Sequence, residues 1–226
     1  MGHAVGDVLG EAAAVAVSPL PIVAIILLLA TPRGRLNGLL FTLAFVMGLA
    51  AVGTIMLVIG GHGGASTPDH HPATWVGGLK LGLGVLLVLF GARLWQRRPR
   101  DPAQAHKPKW MAAIDRFTPP KILGLGLVFS AANIKNAALT IAAGASISSA
   151  GIPVPQQIAT LVIFVIIGSL GLLTPLVVYL IMGERAKHIL GNWRDWAVQH
   201  NVAVLAVVFF VLGLKLVGDA ISILAS

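Results

Sequence analysis

The sequence contains no cysteine and few acidic residues. The absence of cysteine excludes disulfide bonds and thiolate metal sites. Only 8 residues are Asp or Glu, whereas 16 are Lys or Arg. The sequence also lacks a phosphate-binding glycine loop, a hydrolase elbow and a paired-carboxylate arrangement. These absences predict that the chain is not an enzyme, binds no cofactor and is not driven directly by ATP.

Most of the sequence consists of long apolar runs. Of the 226 residues, 57% are hydrophobic. They form six blocks of about 20 residues, and a helix of that length crosses the roughly 30 Å hydrocarbon core of a bilayer. A soluble protein of this size could not cover six such helices. The sequence therefore predicts an all-α integral membrane protein with six transmembrane helices. The predicted spans are about 12–30, 36–59, 75–95, 122–145, 157–182 and 202–224.

Outside the apolar blocks, basic residues are confined to alternate loops. The other two loops and both termini carry no Lys or Arg. By the positive-inside rule the basic loops are cytoplasmic, which predicts a multi-pass protein of the plasma (inner) membrane with both termini outside. The same loops explain the net charge of +8 without a nucleic-acid partner. Their basic residues include Arg33, Arg35, Arg97, Arg98, Arg100, Lys107, Lys109, Arg116, Arg185, Lys187 and Arg194.

The basic central loop divides the chain into two halves of three spans. We expect a first repeat at 1–96, a basic cytoplasmic linker at 97–121 and a second repeat at 122–226. An odd number of spans in each half makes any repeat an inverted one. The Gly-Leu-Lys-Leu sequence at 78–81 recurs at 213–216. The sequence thus predicts two inverted three-helix repeats.

Span one contains two prolines, in the sequence Ser18-Pro-Leu-Pro21. Pro19 and Pro21 remove backbone donors and clash with the preceding turn. One interpretation is an ordinary proline kink, and the other is a discontinuous helix at a binding site. We expect the discontinuous helix, because freed carbonyls in a bilayer need protein or a water-filled cavity around them.

Span four contains Asn133, Lys135 and Asn136 in an otherwise apolar segment. A lysine near the bilayer midplane costs about 2.5–3.5 kcal/mol on the most lenient insertion scale. On a regular helix Lys135 would point about 160° away from Asn133. We therefore expect span four to unwind opposite the break in span one, so that helices one and four are both interrupted. In the alternative, the asparagines join neighbouring helices and backbone carbonyls satisfy Lys135.

The candidate substrate site combines these two interruptions. Lysine and asparagine without a central carboxylate favour an anionic or zwitterionic substrate over a cation. We expect no metal site, because His62 and the Asp69-His70-His71 cluster lie in a glycine-rich loop that fixes no geometry. The candidate residues are Ser18, Pro19, Pro21, Asn133, Lys135 and Asn136, with Lys80 in span three and Arg33 and Arg35 at the cytoplasmic turn.

Three further features of the spans have two interpretations each. Lys80 is close enough to the outer end to extend its ammonium group to the interface, or it belongs to the site. Lys215 and Asp219 are four residues apart and can pair, so they are either structural or functional. A glycine-rich face from Gly77 to Gly91 packs inside the chain or forms a homodimer, and we expect the homodimer.

Two sequence motifs carry a resemblance to a known family. Ser18-Pro-Leu-Pro21 and Thr31-Pro-Arg-Gly-Arg-Leu-Asn-Gly38 resemble the peptidoglycolipid-addressing (GAP) family of actinobacteria, a branch of the lysine exporter superfamily. The motif positions are Ser18, Pro19, Pro21, Arg33 and Asn37. The resemblance implies two inverted three-span halves. It also implies a secondary transporter or accessory protein that moves a glycolipid or another envelope lipid.

These observations lead to three hypotheses for the function. The first is a plasma-membrane transporter or flippase for an anionic lipid or glycolipid, with the head group between the two breaks. The second is an exporter of a small, amino acid-like solute. The third is a scaffold that positions cell-envelope biosynthesis enzymes. A lipid carrier needs a lateral opening between helices, whereas a solute exporter needs a closed central pathway.

Overall fold

In the computed structural model the described residues are 2–62, 74–96, 114 and 117–225, and every regular element among them is helical. The helices are α1 Gly2–Ala16, α2 Pro19–Leu29, α3 Gly34–His62, α4 Thr74–Gln96, α5 Pro119–Leu127, α6 Ile134–Ser148, α7 Val154–Met182 and α8 Ala186–Leu224. A π-helical turn at Val128–Ala132 continues α5, and a 3-10 turn at Gly183–Arg185 precedes α8.

The prediction of an all-helical, multi-pass membrane protein is confirmed at the level of its helices. Four helices are long and apolar enough to cross a membrane: α3, α4, α7 and the part of α8 from Val202 to Leu224. The pair α1–α2 bends by 50°, and the pair formed by α5, its π turn and α6 bends by 58°. The count rises to six if each bent pair is one span.

Helix α1 extends beyond the predicted first span. Span one was expected to begin at about Ala12, whereas α1 begins at Gly2. The polar residues His3, Asp7 and Glu11 recur every four residues, so they occupy one face of a helix. The segment 186–200 is helical and forms the first part of α8, ahead of the predicted span six. Most of the 97–121 linker and the Asp69-His70-His71 cluster lie outside the described residues.

The predicted glycine-rich face of α4 packs against α8 within the same chain. A Cβ on Gly84 would lie 2.9 Å from the carbonyl oxygen of Gly213, and a Cβ on Gly213 would lie 2.8 Å from that of Gly84. Only glycine permits two backbones to approach so closely. The face from Gly77 to Gly91 is therefore covered by α8 of the same chain. A homodimer stays a prediction, but this face no longer supports it.

The core lies between α3, α7 and the two broken pairs. Phe41, Phe45 and Phe164 are fully buried there. Large apolar side chains on the outer faces remain exposed, for example Met47 at 57% and Ile181 at 79%. Such a surface suits contact with lipid chains. The packing therefore places the two breaks inside the helix bundle, where α1 contacts α6 and α7.

Candidate functional site at the two helix breaks

The break in span one follows from Pro19. Proline disfavours the helical conformation of the residue before it, and Ser18 is extended with φ −84° and ψ 108°. Pro19 also has no N–H to donate to the carbonyl of Val15. Helix α1 therefore ends at Ala16, and α2 begins again at Pro19. The discontinuous helix expected from the two prolines is confirmed.

The break in span four follows from Asn133. Its backbone is extended, with φ −74° and ψ 117°. Its side-chain oxygen accepts hydrogen bonds from the backbone N–H groups of Lys135 at 3.1 Å and Asn136 at 3.4 Å. Asparagine is among the preferred residues for starting a helix in this way. The expected unwinding of span four is thus confirmed, with Asn133 as the residue that starts α6.

Lys135 links the two breaks. Its side chain is 2% exposed, and its ammonium group donates a hydrogen bond of 2.5 Å to the carbonyl oxygen of Ala14 in the last turns of α1. Span four therefore unwinds as predicted, and a backbone carbonyl also satisfies the lysine, as in the alternative interpretation. The ammonium group has three donors, of which this bond uses one.

Asn136 lies deeper in the bundle than expected. It is 0% exposed, and its side-chain amide donates to the carbonyl oxygen of Phe129 at 2.7 Å. The hydroxyl of Thr140 donates to the carbonyl oxygen of Asn136 at 2.7 Å. These bonds hold the broken span together, and Asn136 is not among the described residues that line the cavity below.

A cavity of ≈ 330 Å³ lies between the two breaks. Ser18, Asn133 and Lys135 supply its polar groups. Phe90 and Ile134 line it as well and are 40% and 58% exposed, so the cavity opens on the lateral surface of the bundle. Its other lining residues are Leu20, Ala132, Leu205 and Phe209. Three of the predicted site residues thus meet in one cavity.

Helices α2 and α6 both begin at this cavity. Ser18 precedes α2 and Asn133 precedes α6, and both residues line the cavity wall. A helix N-terminus carries partial positive charge. None of the described lining residues is Asp or Glu. The electrostatics of the cavity therefore favour an anion over a cation.

The other predicted site residues lie elsewhere. Pro19 and Pro21 are buried and shape the break. Arg33 and Arg35 are exposed at the far end of α2, about 16 Å along the helix from the break. Lys80 lies ten residues before Phe90 on α4, about 15 Å away along the helix. The structure does not bring these residues into the cavity.

The second motif builds the turn between α2 and α3. The hydroxyl of Thr31 donates to the carbonyl oxygen of Leu28 at 2.6 Å, and the side-chain amide of Asn37 donates to that hydroxyl at 2.8 Å. A Cβ on Gly34 would overlap the carbonyl oxygen of Leu29. Thr31, Gly34 and Asn37 thus hold a tight turn that fixes the direction of α2.

A network of charged side chains lies nearer the chain ends. Lys215 pairs with Asp219 at 3.8 Å, as the sequence predicted, and with Glu11 at 2.9 Å. Lys80 is 7% exposed and lies 3.7 Å from Asp219, so it does not extend to the interface. The pairing of Glu11 was missed, although the four-residue spacing of His3, Asp7 and Glu11 already indicated a polar helix face.

A second cavity lies on the other side of Ser18. It measures ≈ 210 Å³. Its described lining contains no charged side chain, so it offers no ion-pair partner to a charged head group. The lining residues are Val17, Pro19, Ile22, Trp193, Trp196 and Val204.

Comparison with known proteins extends over nearly the whole chain. A family model described as Sap, sulfolipid-1-addressing protein (SfLAP), matches residues 8–222. No curated protein and no solved structure matches the chain. The match confirms the lipid-addressing part of the resemblance carried by the two motifs. The narrower placement in the peptidoglycolipid-addressing family and the lysine exporter superfamily stays a prediction.

Proposed function

Because the chain belongs to the family of sulfolipid-1-addressing proteins, we propose that it is a secondary transporter or flippase. Its substrate is an anionic lipid or glycolipid of the cell envelope, which it moves across the plasma membrane. The observation that carries the proposal is the cavity of ≈ 330 Å³ where the two broken spans meet. This volume is at the small end of ligand sites, so it suits a head group whose chains stay in the bilayer.

The cavity has the features that an anionic head group requires. Lys135 brings an ammonium group to the cavity wall, and Ser18 and Asn133 line it too. The N-termini of α2 and α6 add partial positive charge on the same side as the lysine. A phosphate, sulfate or carboxylate would find hydrogen-bond donors here without having to displace a protein carboxylate.

The lateral opening favours a lipid over a small solute. Ile134 lies near the middle of the broken span formed by α5 and α6 and is exposed, so the mouth of the cavity faces the region of the lipid chains. A lipid can enter by this route with its chains outside. A soluble amino acid-like substrate would have to cross apolar lipid to reach the same mouth.

The packing of the helices supports an inverted repeat. In the proposed repeat, α1, α2, α3 and α4 of the first half correspond to α5, α6, α7 and α8 of the second half. Most of the main helix–helix contacts then have an equivalent contact between the corresponding helices. The contact of α1 with α7 corresponds to that of α5 with α3, and the contact of α2 with α8 corresponds to that of α6 with α4. In transporters built from inverted repeats, the substrate site lies between the repeats. The cavity has this position.

The proposed orientation places the basic loops in the cytoplasm and both chain ends outside. Arg33 and Arg35 are exposed at the cytoplasmic end of α2 and would attract anionic head groups there. Binding of cell-envelope biosynthesis enzymes to the basic loops stays a prediction and is compatible with this arrangement.

A lipid-movement assay tests the proposal. The purified protein is reconstituted in liposomes with a fluorescent anionic lipid or its zwitterionic analogue, and quenching from outside measures the change of leaflet. We expect wild type to move the anionic lipid faster. Ile134→Trp should slow the movement by about 5- to 150-fold, because filling the cavity mouth raises the barrier by about 1–3 kcal/mol.

Val162→Trp is the matched control. Val162 is 49% exposed on α7, a helix with no described residue in the cavity lining, so this variant should move lipid like wild type. Equal movement by Ile134→Trp and wild type would contradict the role of the cavity. If wild type moves neither lipid, the transporter hypothesis is wrong and the scaffold hypothesis takes its place.

A further inference from the structure

Four charged side chains join α1, α4 and α8 away from the cavity. Glu11 pairs with Lys215 at 2.9 Å, and Asp219 lies 3.8 Å from Lys215 and 3.7 Å from Lys80. Two ammonium and two carboxylate groups have a formal charge of zero. A network that is already neutral has no need of an anionic substrate, so its role must differ from that of the cavity.

Glu11 is the most deeply buried carboxylate of this network. It is 1% exposed, and only one of its two oxygens binds Lys215. The other, Oε2, has no hydrogen-bond partner among the residues that the structure describes. A buried, unsatisfied carboxylate oxygen is destabilising. Acidic residues kept inside a membrane at this cost often carry protons.

The network connects Glu11 with the chain-end side of the bundle. The side chains of Lys215 and Asp219 are 35% and 36% exposed, whereas that of Glu11 is buried. Lys215 also donates to the backbone carbonyl of Asp7 at 2.9 Å, one turn before Glu11. Lys215 lies between Asp219 and Glu11, so it can pass one of its protons to Glu11 and then take up another at the exposed part of the network.

Glu11 is also close to the cavity along the same helix. It precedes Ala14 by three residues, about 4.5 Å along the axis, and residues at this spacing share a face. The carbonyl of Ala14 accepts the hydrogen bond of Lys135. A displacement of this part of α1 would therefore reach the lysine of the cavity directly.

We propose that Glu11 is the proton-carrying group that couples lipid movement to proton entry from the side of the chain ends. The carboxylate takes up one proton and becomes a neutral acid, so the formal charge of the network rises from zero to plus one. The ion pair with Lys215 is lost, which weakens the contact between the outer half of α1 and α8. This inference rests on the proposed function, because it names the driving ion of the same transport.

Among the described acidic residues near this network, Glu11 is buried, whereas Asp7 and Asp219 are more exposed. The charged groups nearest to it come from α1 itself and from α4, α6 and α8. The helix α7, which packs along α1, carries no Asp, Glu, Lys, Arg or His. The groups to be considered are His3 and Asp7 on α1, Lys80 on α4, Lys135 on α6, and Lys215 and Asp219 on α8.

Infrared difference spectroscopy tests the protonation without any transport. Purified protein in zwitterionic nanodiscs is taken through a series of buffers of falling pH. We expect wild type to gain the band of a buried carboxylic acid with few hydrogen bonds, and Glu11→Gln to lack it. Asp7→Asn is the matched control and should keep the band, because Asp7 is exposed one turn away. A band that persists in Glu11→Gln would contradict the assignment.

The second test applies a pH gradient in the lipid-movement assay. With one proton per lipid, each pH unit should shift the steady-state lipid distribution of wild type by up to about tenfold. Glu11→Gln should give the same distribution with and without the gradient. If wild type moves lipid but ignores the gradient, proton coupling is wrong and the lipid transporter stands. If wild type moves no lipid, the transporter is wrong and the infrared result still decides whether Glu11 binds a proton.

A conservative variant separates folding from coupling. Glu11→Asp keeps the titrating group but shortens the side chain, so it should keep both the infrared band and the response to the gradient. A Glu11→Asp variant that folds and loses both would contradict the proposal. If neither variant folds, the response of wild type to the gradient decides alone.

Discussion

Lys135 donates its hydrogen bond to a backbone carbonyl and not to a side chain. The carbonyl of Ala14 would lose this donor in Lys135→Met, which should lower the free energy of unfolding by about 1–3 kcal/mol. We also expect this variant to lose the anionic lipid that wild type retains through gentle purification. Thermal unfolding and native mass spectrometry measure the two effects.

Lys121→Met is the matched control at the residue scale. Lys121 is exposed in the first turn of α5, on the same broken span, so its replacement should change neither quantity by much. If Lys135→Met folds and retains anionic lipid as wild type does, Lys135 only joins the helices and does not bind the head group.

At the residue scale the sequence could predict which polar residues matter, but not which groups they bind. Lys135 and Asn133 stand out because polar residues in an apolar span are costly. The partner of Lys135 is a peptide carbonyl 121 residues away, and a carbonyl has no sequence signature. The partner of Glu11 was equally hidden, because an ion pair between α1 and α8 depends on how the helices pack.

At the scale of the elements, the break in span one depends on a glycine of α7. A Cβ on Gly171 would overlap the carbonyl oxygen of Ala16, the last residue of α1. Gly171→Ala should therefore push α7 away from the break and lower the free energy of unfolding by about 1–3 kcal/mol. Thermal unfolding in detergent measures the loss.

Gly78→Ala serves as the control for this prediction. A Cβ on Gly78 meets nothing within 4 Å, and alanine is the better helix former, so the variant should be as stable as wild type or slightly more stable. Equal stability of Gly171→Ala and Gly78→Ala would show that α7 can move away from the break at little cost.

The interruptions of both broken helices were predictable because their causes are local. Pro19 acts on its own backbone and on Ser18, and Asn133 binds N–H groups two and three residues ahead. The close pairing of α4 with α8 was not predictable from Gly84 alone. A glycine-rich face indicates a close contact but does not specify whether the partner lies in the same chain.

At the scale of the whole molecule, the proposed orientation can be tested by labelling introduced cysteines. The chain has no cysteine of its own, so no other thiol would be labelled. Ala225→Cys and Arg35→Cys introduce single thiols at exposed positions near opposite ends of the bundle. We expect a membrane-impermeant maleimide to label Ala225→Cys in intact cells. Arg35→Cys should be labelled only after the membrane is permeabilised.

Wild type without thiols is the control for labelling. Labelling of Arg35→Cys in intact cells, with Ala225→Cys protected, would invert the orientation. Protons would then enter the network of Glu11 from the cytoplasm. The lateral mouth of the cavity would be unaffected, because Ile134 lies near the middle of its broken span in either orientation.

The hydrogen bond between Lys135 and the carbonyl of Ala14 predicts which residues should vary together among relatives of this chain. The carbonyl is at the end of a helix only because Pro19 interrupts span one. A relative without this proline would continue the helix and satisfy the carbonyl internally, and its lysine would be left buried without that partner. Pro19 and Lys135 should therefore be gained and lost together among relatives, whereas the side chain at Ala14, which takes no part in the bond, is free to vary within the space available.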